Sequence, residues 1–482
     1  MKNIFSTISL AALLILASCK KPLEDVNINP NSPIDAPSEL ILNGAQVSSI
    51  VLYEGDWARI AGVWSQSFTG VDRQYATLNT YNSSAGDFDA SWSTAYRGVI
   101  APCKLIIAKE SATNNKLMIG IAQIMQAQAF GTLADLFGDV PFTQAGNPAF
   151  STPKFDKQAD VYAGVQTMLD SAIVNLESGV GVSPDTKDIF YSGDADKWKA
   201  AAHTLKARFY LHTKNYAAAA TEAGSGILND ADNMMAKHSS AYNSDFNLYY
   251  SFCVYDRDTY MSADEAVAPR LLDATSTQYR GNAKTKEAAR LNYYYFPGGL
   301  LYASVYDLNV ICDFDWGTPT AFNGFFGGNS SFPILTFAEN KLILAEATMR
   351  TGDFAAALAA LNEYRAYLNA GSSIGAGYAA TNDLSYLPYV DADFETGGME
   401  NFGLSKNEAM LKEIIEERYV TFIGQLEQFN DVRRTRNSIG LSPVTGTKIP
   451  QRFYYPQSEI NTNPNTPSQA AADLFVPTTA NQ

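Results

Sequence analysis

Cysteine and histidine are scarce, with 4 and 3 copies in 482 residues. Once Cys19 is set aside, Cys103, Cys253 and Cys312 are odd in number and contain no CxxC pair. A disulfide framework and a zinc cage are therefore not the organising devices, and buried free thiols are expected. His203, His212 and His238 include no HExxH spacing, so no histidine metal site is expected. His203 and His212 fall on an expected helix, where core or surface roles suit them. Basic residues are in deficit: 35 Lys and Arg against 50 Asp and Glu, for a net charge of −15. Phosphate neutralisation needs a clustered cationic surplus, so nucleic acid is not an expected partner; neutral or cationic ligands suit an acidic surface. Strand-like alternation is rare, and no GxSxG elbow or phosphate-binding loop stands out. After the leader no apolar stretch approaches the roughly 20 residues that cross a bilayer, which implies a soluble body.

At the N-terminus, Met1-Lys2 precede an apolar run from Ile4 to Ala17 that is too short to span a membrane. It ends in Leu16-Ala17-Ser18-Cys19, similar to a bacterial lipobox. Residues 1–18 then read as a lipoprotein signal peptide and Cys19 as the lipidation site. Several acyl chains on Cys19, each buried methylene contributing about 0.8 kcal/mol, make a durable anchor. Residues 19–38, rich in Asn and Pro, read as a flexible tether.

From residue 39 to 482 the dominant signal is helical. Ala-rich segments repeat apolar positions every three or four residues between Gly, Pro, Asn and Asp clusters. Lys116–Phe137 is one such helix, ended by Gly138-Asp139-Val140-Pro141. Two segments share a finer pattern. Ala207 precedes Ala219, and Ala345 precedes Ala357, each by 12 positions, with Tyr216 or Phe354 three before the second alanine. That spacing is tetratricopeptide-like: alanines let antiparallel helices approach while the ring fills the turn. Paired helices are expected near 155–230 and 334–370, with a degenerate unit around Tyr162 to Leu176. The fold class expected is all-α, one domain of tetratricopeptide-like hairpins with long irregular ligand-binding loops.

With these features the chain resembles the SusD/RagB family of nutrient-binding outer-membrane lipoproteins. The resemblance rests on Asp25-Val26-Asn27-Ile28-Asn29-Pro30, Thr132-Leu133-Ala134-Asp135-Leu136-Phe137-Gly138-Asp139, Leu361-Asn362-Glu363-Tyr364-Arg365, Ile415-Glu416-Glu417-Arg418, Asp431-Val432-Arg433-Arg434 and Arg452-Phe453-Tyr454-Tyr455-Pro456. It implies a lipid-anchored binder on the outer membrane, facing the cell exterior, that captures oligosaccharide or peptide, needs no cofactor and catalyses nothing. It also implies a partner, a SusC-like TonB-dependent transporter. Glu417, Arg418, Asp431 and Arg433 are expected to form ion pairs at helix crossings. The alternatives are a surface glycosidase or peptidase, since a carboxylate pair among fifty acids would be invisible in one sequence, and a protein-binding tetratricopeptide scaffold.

Ligand contacts are sought among the rings, whose flat apolar faces stack on sugars or side chains. Tyr53, Trp57, Trp64 and Phe68 follow helical spacing and read as core, as do Trp92 and Tyr96. The polar stretch Gly70 to Asp87 has no apolar period, so Arg73, Tyr75, Asn79 and Tyr81 are candidate ligand contacts on an irregular loop. The second candidate region runs from Tyr293 to Phe332, where Asp313 and Asp315 offer hydrogen-bond acceptors and Trp316 the largest platform. The alternating carboxylates Asp391, Asp393 and Glu395 lack EF-hand spacing and read as a solvated acidic loop.

Overall fold

The computed structural model describes residues 36–241, 244–300 and 305–482. Cys19 and nearly all of the expected tether lie outside the described residues. The apolar periodicities become helices where expected. In chain order, helix α1 spans Ser38–Ile50, α2 Trp57–Trp64, α3 Arg73–Asn79, α4 Ala101–Thr113, α5 Lys116–Phe137, α6 Gln158–Glu177, α7 Ala195–His212 and α8 Tyr216–Ala223. Then come α9 Ala288–Tyr294, α10 Asp313–Trp316, α11 Phe337–Arg350, α12 Phe354–Asn369, α13 Lys406–Thr421 and α14 Leu426–Arg434, with shorter turns between them.

Helix α5 has the bounds its periodicity predicted. Asn115 caps its start by accepting from the Met118 N–H at 3.4 Å, and Gly138 ends it at φ 87° and ψ −113°, a conformation that suits glycine alone. It is the one helix among the described residues long and apolar enough to cross a membrane, contrary to the expectation that no such stretch follows the leader. Ile121, Ile124, Leu133 and Leu136 are fully buried, which makes it the central core helix.

Packing runs in sequence order: α5 on α6, α6 on α7, α7 on α8, α8 across to α11, and α11 on both α12 and α13. The two alanine pairs sit where this stacking is tightest. Ala207 and Ala219 join Ile343 and Ala347 in one buried cluster, while Ala345 and Ala357 lie in a neighbouring one. Asn215 and Asp353 cap α8 and α12 at equivalent positions, accepting from Ala218 N at 3.4 Å and Ala356 N at 2.9 Å. This is the tetratricopeptide-like arrangement the spacing implied.

Strands are minor. Eight short strands form four antiparallel pairs among the described residues: β1 (Thr69–Gly70) with β3 (Met261–Ser262), β2 (Met234–Ala236) with β7 (Phe332–Leu335), β4 (Thr285–Lys286) with β8 (Ser385–Tyr386), and β5 (Tyr295–Pro297) with β6 (Tyr306–Leu308). They clip the irregular loops of the second half to the helical body.

The charged motifs are buried at helix crossings. Arg418 grips Asp431 at 2.8 and 3.0 Å, and Arg434 forks onto Glu346 at 2.6 and 2.5 Å. Glu417 meets Arg290 at 2.6 Å and Arg280 at 3.0 Å. Removing one partner of such a pair typically costs about 3–5 kcal/mol, because a buried charge is left uncompensated. Arg433 departs from the expected pairing. It donates to the carbonyls of Asp135 at 2.8 Å and Gln451 at 3.0 Å, tying α14 to the end of α5 and to the C-terminal segment. In the acidic loop, Asp391 pairs with Lys406 at 2.7 Å and Asp393 with Lys284 at 2.6 Å. Cys103, Cys253 and Cys312 are buried free thiols.

Candidate functional site

The two candidate regions fare differently. Gly70 to Asp87 is not one irregular loop: residues 73–79 form α3, and the Asp72 side chain accepts from the Arg73 N–H at its start. Tyr75 is only 1% exposed and Tyr81 6%. The Tyr75 ring packs on Phe252 at 4.9 Å, and its hydroxyl accepts from Arg59 Nε at 3.0 Å. Burial pushes its pKa up to about 12 against the pull of Arg59. The Tyr81 hydroxyl accepts from Val444 N–H at 3.0 Å while its ring meets Phe475 at 6.1 Å. Neither ring is presented to solvent, so neither serves as a stacking platform. The absent apolar period misled because this helix has under two turns and buries only Tyr75 and Leu78. Asn79 is spent locally, its side-chain oxygen accepting from Gly70 N–H at 3.3 Å. Arg73 stays exposed, its guanidinium 5.9 Å from the Tyr260 ring.

Asp313, Asp315 and Trp316 are brought together on α10, a single turn between Cys312 and the left-handed Gly317. Trp316 is 41% exposed and Phe314 on the same turn 38%. Beneath Phe314 lies a base of rings that sequence reasoning missed. Phe246 stacks under Phe314 with centroids 5.2 Å apart and planes 7° from parallel, and also under Tyr255 at 6.1 Å and 11°. Tyr250 meets Phe314 and Tyr255 edge-on, each at 5.7 Å. Phe246 and Tyr250 are buried, whereas Tyr255 is 42% exposed. Tyr255 had a signal available, since it sits in Val254-Tyr255-Asp256-Arg257-Asp258, a ring among charges. Phe246 and Tyr250 had none, because Phe314, the ring they support, is more than sixty residues away.

The shelf is locked from behind. The Tyr250 hydroxyl donates to Asp315 Oδ2; burial first, then that bond, drives the tyrosine's pKa far up. The other Asp315 oxygen accepts no hydrogen bond among the described residues and is open to a ligand hydroxyl or amine. Asp313 is fully employed: it accepts from Thr320 Oγ1 at 2.8 Å and Asn329 Nδ2 at 3.0 Å, and Thr320's bond leads in holding it below the usual carboxylate range. It shapes the loop rather than facing a ligand. Gly328 allows the close approach, since a Cβ there would lie 2.5 Å from the Phe314 ring. On the far side, the buried Glu54 accepts from Leu248 N–H at 2.7 Å and pairs with His238 at 2.8 Å, fixing the start of the segment that carries Tyr250 and Tyr255.

The two regions meet on one element. Residues 251–256 form a π-helical turn in which Phe252 packs on Tyr75 and Tyr255 completes the shelf. Among the described residues no group of three or more potential metal ligands is gathered.

The helical body is tetratricopeptide-like, and its irregular loops raise exposed rings beside a carboxylate oxygen that no described residue engages. The chain belongs to the SusD-like family: the family model described as starch-binding and associating with the outer membrane matches residues 30–456. Solved structures share the fold at low identity. A SusD/RagB family protein from Bacteroides thetaiotaomicron superposes with a TM-score of 0.68 at 21% identity, over 93% of this chain and 99% of that one. A SusD homolog from Bacteroides fragilis gives 0.67 at 18%, over 93% and 100%. A chitin-binding SusD homolog from Flavobacterium johnsoniae gives 0.61 at 17%, over 88% and 93%. No curated protein matches the sequence.

Proposed function

We propose that this chain is a non-catalytic glycan-capturing lipoprotein, anchored through Cys19 on the outer face of the outer membrane, that hands oligosaccharide to a SusC-like TonB-dependent transporter. The observation that carries the reading is the shelf: Tyr255, Phe314 and Trp316, each more than a third exposed, the first two on a buried aromatic base, with Asp315 on the same turn as Phe314 and Trp316. Exposed rings clustered on a rigid base are costly to leave in water and match the apolar C–H faces of sugar rings, while a carboxylate takes their hydroxyls. The chitin-binding neighbour and the starch-binding description of the family favour glycan over peptide.

Purified protein incubated with starch- and chitin-derived oligosaccharides and with a peptide library tests the reading. Glycan retention without turnover supports it; peptide retention alone, or cleavage of any member, refutes it. Outer-membrane extracts should also yield the chain with a large barrel, and Cys19→Ala should release it from the membrane fraction.

A further inference from the structure

A cleft apart from the shelf has none of Tyr255, Phe314, Asp315 and Trp316 in its walls. It is about 530 Å³ in volume, within the range of small-molecule sites, and is bounded by strands β2 and β7, the end of α9 and the side of α12. Its walls include seven rings, among them Tyr191, Tyr293, Tyr294, Phe325 and Tyr367. Phe325 braces Tyr294 at 4.8 Å and Tyr293 at 5.7 Å, so the wall is formed before any ligand arrives.

The polar groups of the cleft divide into spent and unspent. Tyr367 donates to Asp230 at 2.6 Å, Tyr191 to the Asp232 carbonyl at 2.9 Å, and Lys197 pairs with Asp232 at 3.2 Å. Asp230 also accepts from Asn233 on the same Oδ1, and its Oδ2 accepts no hydrogen bond among the described residues. The hydroxyls of Tyr293 and Tyr294, by contrast, take no hydrogen bond from any described residue, although Tyr294 is buried. Both residues line the cleft, so a ligand there can take the hydrogen bonds that their hydroxyls otherwise give to water. Burial raises the pKa of Tyr294 to about 12 and that of Tyr293 still higher, so both remain neutral donors at physiological pH.

We propose that this cleft is a second saccharide site, separate from the exposed shelf, which encloses one or two neutral sugar units between its rings and hydrogen-bonds them through the Tyr293 and Tyr294 hydroxyls. The inference rests on the glycan reading above. Neutral sugar is the class that fits: Lys197 and Lys237 on the wall oppose a cation, Asp230 Oδ2 can accept a sugar hydroxyl, and the paired rings and hydroxyls match a sugar's apolar faces and equatorial hydroxyls.

Calorimetric titration with chitobiose and with maltose tests it, alongside longer starch and chitin oligosaccharides. One of the two disaccharides is expected to bind at two sites per chain. Tyr294→Phe, which keeps the ring and removes only the hydroxyl, should weaken one of them at least tenfold, and Ala231→Trp at the rim should abolish that same one. A single site per chain, or two sites indifferent to both variants, overturns the proposal. If only longer oligosaccharides bind, the enclosed site is wrong and the glycan reading stands. If no oligosaccharide of any length binds, both fall.

Discussion

Phe246 lies beneath Phe314 with the two ring planes 7° from parallel, one side chain buried and the other 38% exposed. The pair divides labour between holding the shelf and presenting it. Phe246→Ala should therefore destabilise the chain by about 3–5 kcal/mol, the usual loss for a large buried ring. Phe314→Ala should stay within about 1 kcal/mol of the parent while weakening ligand binding. Denaturant melts of the two variants check the contrast, and equal losses would show that Phe314 is core.

Tyr75 and Tyr81 should behave as core residues. Tyr75→Ala removes the ring packed on Phe252 and leaves Arg59 without one of its two partners, so a loss of about 3–5 kcal/mol is expected. Tyr81→Ala should cost at least 1 kcal/mol, roughly the value of a lost buried hydrogen bond. Thermal melting decides; unchanged midpoints would return both rings to the list of ligand contacts.

Ala345 and Ala357 are fully buried where α11 and α12 touch. Ala345→Leu or Ala357→Leu forces these helices apart and should cost about 1–3 kcal/mol, the range for overpacking. A melting midpoint at the parent value in both variants would contradict the alanine-mediated contact.

His212 is buried between two carboxylates, Asp135 at 2.8 Å and Glu427 at 3.0 Å. Burial pulls its pKa down, but the two acids outweigh that and raise it to about 9 from an ordinary 6.5. A proton held more tightly in the folded than in the unfolded chain stabilises the fold, so this contribution is complete below about pH 6.5 and is lost as pH rises through about 9. Glu413, raised to about 8 chiefly by burial, titrates in an overlapping window. His212→Gln isolates the histidine: the stability difference between parent and variant should shrink as pH climbs from 6 to 10. A constant difference would mean that the histidine is neutral when folded.

Much of the helical body was legible because each helix writes its buried face into the sequence at its own period. Lys116–Phe137 and the alanine pairs are read locally, and their caps lie within three residues. The shelf was legible only in part. Trp316 and Asp315 stood out as a ring and an acid in a glycine-rich stretch, but the base under the neighbouring Phe314 comes from Phe246 and Tyr250, and no periodicity links segments so far apart. Tyr75 was misread for the same reason: its partners Arg59 and Phe252 are 16 and 177 residues away, and a helix of 7 residues is too short to show a period. Arg433 shows the limit for charge, since the sequence shows a cation near acids whereas the fold sets it against carbonyl oxygens.

The measurement that bears most directly on the account is calorimetric titration of starch- and chitin-derived oligosaccharides into Trp316→Ala, which removes a ring that is 41% exposed. The account predicts a melting midpoint at the parent value with affinity for the bound oligosaccharide reduced about thirtyfold, the equivalent of roughly 2 kcal/mol for an interface aromatic. Parent-like affinity in a normally folded Trp316→Ala chain would contradict it and remove the shelf as the site of capture.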